Sequence, residues 1–143
     1  MAISRKDLFV DEHSEQVALM DWWNTVAGEE LAPLLMAIPN GGKRGKATAA
    51  RLQAEGVRPG VPDLFLAIPA NGHHGLWIEM KRSQGGRVGP DQKAMHELLR
   101  RQGYKVEVCH GWTKAMLEIS GYLAEVVTLR NAAIGGSNGQ GCF

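Results

Sequence analysis

The sequence predicts an α/β domain with a mixed central sheet flanked by helices, and three observations carry that reading. Short apolar runs of strand length alternate with helix-forming segments along the chain. Two of those runs, "PDLFLAI" and "LWIEMKR", lie close enough in sequence to pair as a hairpin, around Asn71-Gly72. The chain is 143 residues long, 44% hydrophobic and 22% charged, which is the composition of one ordinary globular domain with a full core.

Each element has its own signal. Residues 11–28 read as an amphipathic helix, with Val17, Met20, Trp23 and Ala27 close to one face and Gly28 as the stop. The apolar run 34–38 lies between Pro33 and Pro39 and fits a strand, although at that length a helix is also open. "NGGKRGK" (40–46) is a glycine-rich basic loop, and 47–56 is a helix of strong formers ended by Gly56. Residues 62–68 and 76–82 are the paired strands. Residues 90–103 form a helix with Pro90 in its first turn, an apolar stripe of Ala94, Met95, Leu98 and Leu99, and Gly103 as its end. A strand at 104–110 and a helix at 112–127 complete the domain, residues 1–128. The last segment, 129–143, lacks periodicity and reads as a flexible tail.

The bulk numbers exclude several classes. No apolar run approaches the roughly 20 residues that span a bilayer, and the N-terminus lacks a secretory signal's apolar region. Cys109 and Cys142 make no disulfide framework, so a cytoplasmic setting is expected. Net charge is +1, but it is segregated. Acid dominates residues 1–30. Base dominates 40–60, through Lys43, Arg44, Lys46, Arg51 and Arg58, and 80–93, through Lys81, Arg82, Arg87 and Lys93. Basic patches beside an acidic cluster suit a polyanion and a cation site, and also suit a mixed, solvated surface.

The paired strands carry charge where a buried sheet should carry none. Alternation puts Glu79 and Lys81 on one face, about 7 Å apart. Pairing brings Asp63 to the same end of the sheet. Two carboxylates, with water, are a ligand set suited to Mg²⁺. Such an ion acidifies water and offsets charge on a phosphodiester, and the neighbouring lysine can hold the attacking water. A structural salt bridge at a sheet edge is the alternative for Glu79-x-Lys81 alone. Pro62-Asp63 followed by Glu79-x-Lys81 is a more specific pattern.

That pattern resembles the PD-(D/E)XK nuclease superfamily, and within it the VRR-NUC domain. The similarity extends over several ordered blocks: "EHSEQVALMDWW", "IPNGGKR", "EGVRPGVPDLFL", "IEMKR", "GPDQKAMHELLRRQGYKVEV" and "GYL". The resemblance implies a restriction-endonuclease-like fold, similar to Holliday-junction resolvases, and a DNA endonuclease dependent on Mg²⁺ or Mn²⁺. It implies that Asp63, Glu79 and the Met80 carbonyl bind metal, that Lys81 positions water, and that Gln92 stands beside the site. It also implies a glutamate on the first helix. Glu12, spaced E-x-x-x-Q with Gln16, is expected in that role, with Glu15 as runner-up. One departure is Gly-Pro-Asp-Gln where the family often has Ser-Pro-Glu-Gln.

Branched DNA is the expected partner, because the sequence offers few elements that would read bases. Lys43, Arg44, Lys46, Arg51, Arg82 and Arg87 are the expected phosphate contacts. Paired cuts at a junction require two active sites and so a homodimer, with Trp22 and Trp23 as a candidate interface. A non-catalytic DNA-binding module of the same fold and an RNA-directed nuclease are the alternatives. His73 and His74 read as turn residues, Cys109 as buried and inert, and the glycine-rich loop is not a Walker A sequence.

Overall fold

The structure is a computed structural model that describes residues 10–39 and 45–135. Four strands form one sheet in the order β1-β2-β3-β4: β1 (Leu35–Ala37), β2 (Leu64–Leu66), β3 (Leu76–Lys81) and β4 (Lys105–His110). The first three run antiparallel to one another, and β4 is parallel to β3. The sheet is therefore mixed, as expected.

Among the described residues there are five α-helices: α1 (Glu12–Val26), the single turn α2 (Gly28–Leu31), α3 (Lys46–Ala54), α4 (Pro90–Arg101) and α5 (Trp112–Gly135). Helix α4 makes the crossover that a parallel β3/β4 pair demands. Leu64, Leu66, Leu76, Ile78 and Met80 form the core with Leu19 and Trp23 of α1 and Ala115, Ile119 and Tyr122 of α5.

The β2–β3 connection is tighter than its sequence length suggests. Ala70 and His73 exchange two backbone hydrogen bonds, at 3.2 and 2.9 Å, around Asn71-Gly72. Both turn residues have positive φ, 49° and 74°, the conformation this dipeptide favours. Tyr122 anchors the turn from α5: its hydroxyl donates to Ile68 O at 2.7 Å and accepts from the Ala70 N–H at 3.1 Å.

Several expected details change. In α1 the inward residues are Glu15, Leu19 and Trp23, while Val17 is 45% exposed. Spacing by four keeps those three on one side, and Glu15 is tolerated there because a backbone N–H satisfies it. In α4, His96 is buried and Ala94 and Leu98 face outward. The inward side of that helix meets a carboxylate, so polar residues take apolar places. Strand β2 is three residues long where seven were expected. Helix α5 continues to Gly135, so residues 129–135 are helical where the tail is expected to begin.

Gly60 ties the loop before Asp63 to α4. Its φ is +79°, and a Cβ there would lie 2.3 Å from the Asp91 carbonyl oxygen. Gly60→Ala should cost about 1–3 kcal/mol by overpacking against backbone that cannot yield. A thermal or urea melt checks this, and an unchanged midpoint would mean that the loop and α4 are not in firm contact.

Candidate active site

Leu64 faces Ile78 in the β2/β3 register, so Asp63 comes next in line with Glu79. The backbone fixes this further. The Met80 N–H donates to Asp63 Oδ2 at 2.7 Å, and the Ile38 N–H donates to the Asp63 carbonyl at 2.8 Å. Asp63 is thus held on both sides at the end of a short strand.

Glu79 and Lys81 are buried, at 1% and 6% exposure. Lys81 Nζ donates to Glu79 Oε1 at 2.7 Å. Gln92 Nε2 donates to the same oxygen at 2.5 Å, while Gln92 Oε1 accepts from the Gly89 N–H at 2.9 Å. Gln92 therefore joins the first turn of α4 to the acid on β3. This is half of a capping box, which works without a side chain at the N-cap glycine.

Glu12, in the first turn of α1, completes an acidic group. Its carboxylate raises the pKa values of both Asp63 and Glu79, and its Oε1 lies beside Gly86, next to the Lys81 stem. Burial is the main cause that pushes Asp63 up to about 6, with Glu79 adding to it and the Met80 N–H and Lys81 opposing. Glu79 is also raised, first by burial. The buried Lys81 ammonium pairs with Glu79 and opposes the charge of Asp63, while Glu12 adds a third carboxylate that acts on both acids.

Glu15 does something else. It is 4% exposed, and its Oε2 accepts from the Trp112 N–H at 2.8 Å. Trp112 opens α5, so Glu15 satisfies a free N–H at that helix's positive end. The structure thus separates the two glutamates, with Glu12 beside Asp63 and Glu79, and Glu15 against a helix terminus.

Of the expected phosphate contacts, Lys43 and Arg44 lie outside the described residues. Lys46 and Arg51 are exposed on α3, and Arg51 pairs with Glu55 at 2.8 Å. Arg82 and Arg87 are exposed, and Arg82 lines an open cleft with Asp11, Glu12, His13 and Gly86. Trp23 is core, its Nε1 donating to Ala32 O at 3.0 Å. Trp22 lines an apolar groove of ≈ 310 Å³ with Val26, Leu31, Leu123 and Val127, at the opposite end of α1 from Glu12. Cys109 is buried, its thiol pushed up to about 12 by burial.

The residue that sequence reasoning missed is His96. It is 3% exposed, with Nε2 3.7 Å from Glu79 Oε2. Its signal was the i, i+4 spacing from Gln92, which puts both on one side of α4. A search for paired histidines passes over it.

Among the described residues, no group of three or more His, Cys, Asp and Glu side chains could by itself hold a metal ion. Mg²⁺ asks for less, since it keeps several waters and takes one or two carboxylates. Asp63 and Glu79 supply that number, and Glu79 Oε2 is buried without a hydrogen-bond partner. The surplus of acid also favours a cation, so the residues present fit such an ion.

The mixed sheet, its flanking helices and the acid–lysine cluster define a restriction-endonuclease-like α/β domain of nuclease type. Residues 10–113 match the model of the VRR-NUC domain, and the chain belongs to that family. It is similar to a solved structure titled "VRR_NUC domain protein", with a TM-score of 0.71 at 28% identity over 81% of this chain and 90% of that one. No curated protein matches. Among the described residues, no helix is long and apolar enough to cross a membrane.

Two expected outcomes follow from the electrostatics. Without divalent metal, native Asp63 holds a proton between pH 3.8 and about 6 that the unfolded chain has lost. The stability this gives is complete below 3.8 and is lost as pH rises through 6. Asp63→Asn should flatten that decline and melt above wild type at pH 7, as melts in EDTA from pH 4 to 7 would show. A variant that melts lower at pH 7 would contradict the crowding.

Glu15→Ala should destabilise the fold by about 1–3 kcal/mol, because it orphans a partly buried N–H at the start of α5. Glu12→Gln should leave the melting temperature unchanged or slightly raised. Equal losses from the two would remove the distinction between them.

Proposed function

We propose that this protein is a Mg²⁺-dependent, structure-selective DNA endonuclease that hydrolyses phosphodiester bonds in branched DNA, such as a Holliday junction or a flap. Mn²⁺ is the alternative ion. The observation that carries this reading is the charge imbalance: Asp63 and Glu79 share one buried lysine, and Glu12 adds a third carboxylate that acts on both acids. A salt bridge built for stability needs one acid for one ammonium. The extra acids cost stability, and a cation and a phosphate give them a use.

Asp63 and Glu79 would hold the ion, with the Met80 carbonyl as a further oxygen. When bound, it supplies charge neutralisation at the phosphate and acidifies water. Hydrolysis forms a P–O bond from water and breaks the P–O bond to the leaving sugar oxygen, which gains a proton. Lys81, anchored at 2.7 Å by Glu79, has further N–H groups for the water or a phosphate oxygen. Gln92 holds Glu79 Oε1 from α4, on the same oxygen as Lys81. Glu12, exposed at the rim, adds a carboxylate on the solvent side. Lys46, Arg82 and Arg87 are exposed and can meet flanking phosphates, with Lys43, Arg44 and Arg51 as further contacts. Two coordinated cuts require two copies, hence a homodimer.

Cleavage of junction, flap and duplex DNA, and of RNA, with and without Mg²⁺, tests the proposal. Asp63→Asn and Glu79→Gln should each abolish cutting and keep DNA binding. Lys81→Met should fold and bind, yet lose about 10²–10⁴-fold in rate. Binding without cutting by the wild type would favour the non-catalytic module, and cutting of RNA alone the RNA-directed enzyme. Normal cleavage by the Lys81 variant would remove that residue from the reaction.

A further inference from the structure

The Glu79 carboxylate is bound unevenly. Its Oε1 receives both Lys81 and Gln92, at 2.7 and 2.5 Å, while its Oε2 is buried and has no hydrogen-bond partner. The Nε2 of His96 is in the same condition, buried and without a partner, 3.7 Å away. Two desolvated polar atoms of opposite character rarely face each other for no reason, since each alone opposes folding.

We propose that His96 is a positioning residue whose Nε2–H donates to Glu79 Oε2 and fixes the plane of that carboxylate. The inference rests on reading Glu79 as a carboxylate of the active site. With Oε1 alone held, the carboxylate can still swing about its last bond. A donor on the other oxygen stops that. Closing from 3.7 Å to a hydrogen bond takes less than about 1 Å of movement, and such contacts often tighten only when a site is loaded. His96 is well placed for it, one helical turn beyond Gln92, on a helix whose first turn is held against Gly60. Burial disfavours the charged form of the imidazole, and so do Arg100 and Lys81, with Asp63 opposing. A neutral ring has one N–H, and the proposal places it on Nε2.

A purely space-filling histidine could carry its proton on either nitrogen, and an apolar residue could replace it. Nitrogen NMR of the full-length, metal-free protein reads the tautomer directly. Protonated Nε2 and bare Nδ1 at His96 are expected.

His96→Gln puts an amide nitrogen near the same place and should keep Mn²⁺ affinity, measured by calorimetry, close to wild type. His96→Leu should lose about 10–100-fold in Mn²⁺ affinity, with a matching fall in kcat and an unchanged KM for DNA. The Nδ1–H tautomer, or a leucine variant with wild-type Mn²⁺ affinity, overturns the proposal. Should the leucine variant not fold, the tautomer and the glutamine variant decide. If the wild type cuts no substrate, the nuclease reading fails, and the tautomer still decides the contact.

Discussion

The hydrogen bond from the Met80 N–H to Asp63 Oδ2 is the constraint on which the site depends. It closes the β2/β3 pair at the end where Glu79 and Lys81 project. It places a carboxylate from one strand against the backbone of the other. Strand β2 is only three residues long, so little else fixes Asp63 there. The Ile38 N–H, from the segment after β1, holds its carbonyl. The sheet thereby delivers an acid to a place where burial and a second acid both oppose its charge.

That opposition connects stability with the proposed chemistry. Asp63 at about 6 and the raised Glu79 show that the fold bears crowded acid. Lys81 offsets part of it, and Gln92 and the Met80 N–H offset more. The remainder makes the site receptive to a cation. Helix α4 matters as much as the strands, because it brings Gln92 and His96 onto one carboxylate. The loop at Gly60, pressed on the Asp91 carbonyl, links that helix to the approach of Asp63.

The two first-turn glutamates of α1 show how a helix divides its labour. Glu12 points to the acids, and Glu15, three residues on, satisfies the start of α5. Both are acidic and near the same helix end, yet one is exposed and one is 4% exposed. Local sequence carries little that tells them apart. The difference is the partner: a backbone N–H from Trp112, some hundred residues away, for Glu15, and like charges for Glu12.

What the sequence determined by itself was the order of the main helices and strands, α2 apart, and the meeting of Asp63 with Glu79 and Lys81. Strand alternation and the Asn71-Gly72 turn are local properties, and local properties suffice to place residues across a hairpin. Pro90 and Gly103 bounded α4 for the same reason. Tertiary structure decided which face of each helix turns inward, because that depends on what it meets. Val17 faces solvent and Glu15 the interior, and Leu98 gives way to His96, since a buried carboxylate or N–H selects polar partners that periodicity counts as surface. It also decided the length of α5, and the roles of Gln92 and His96 at Glu79. Those contacts join a helix to a strand 13 or more residues away, and no short-range pattern encodes that distance.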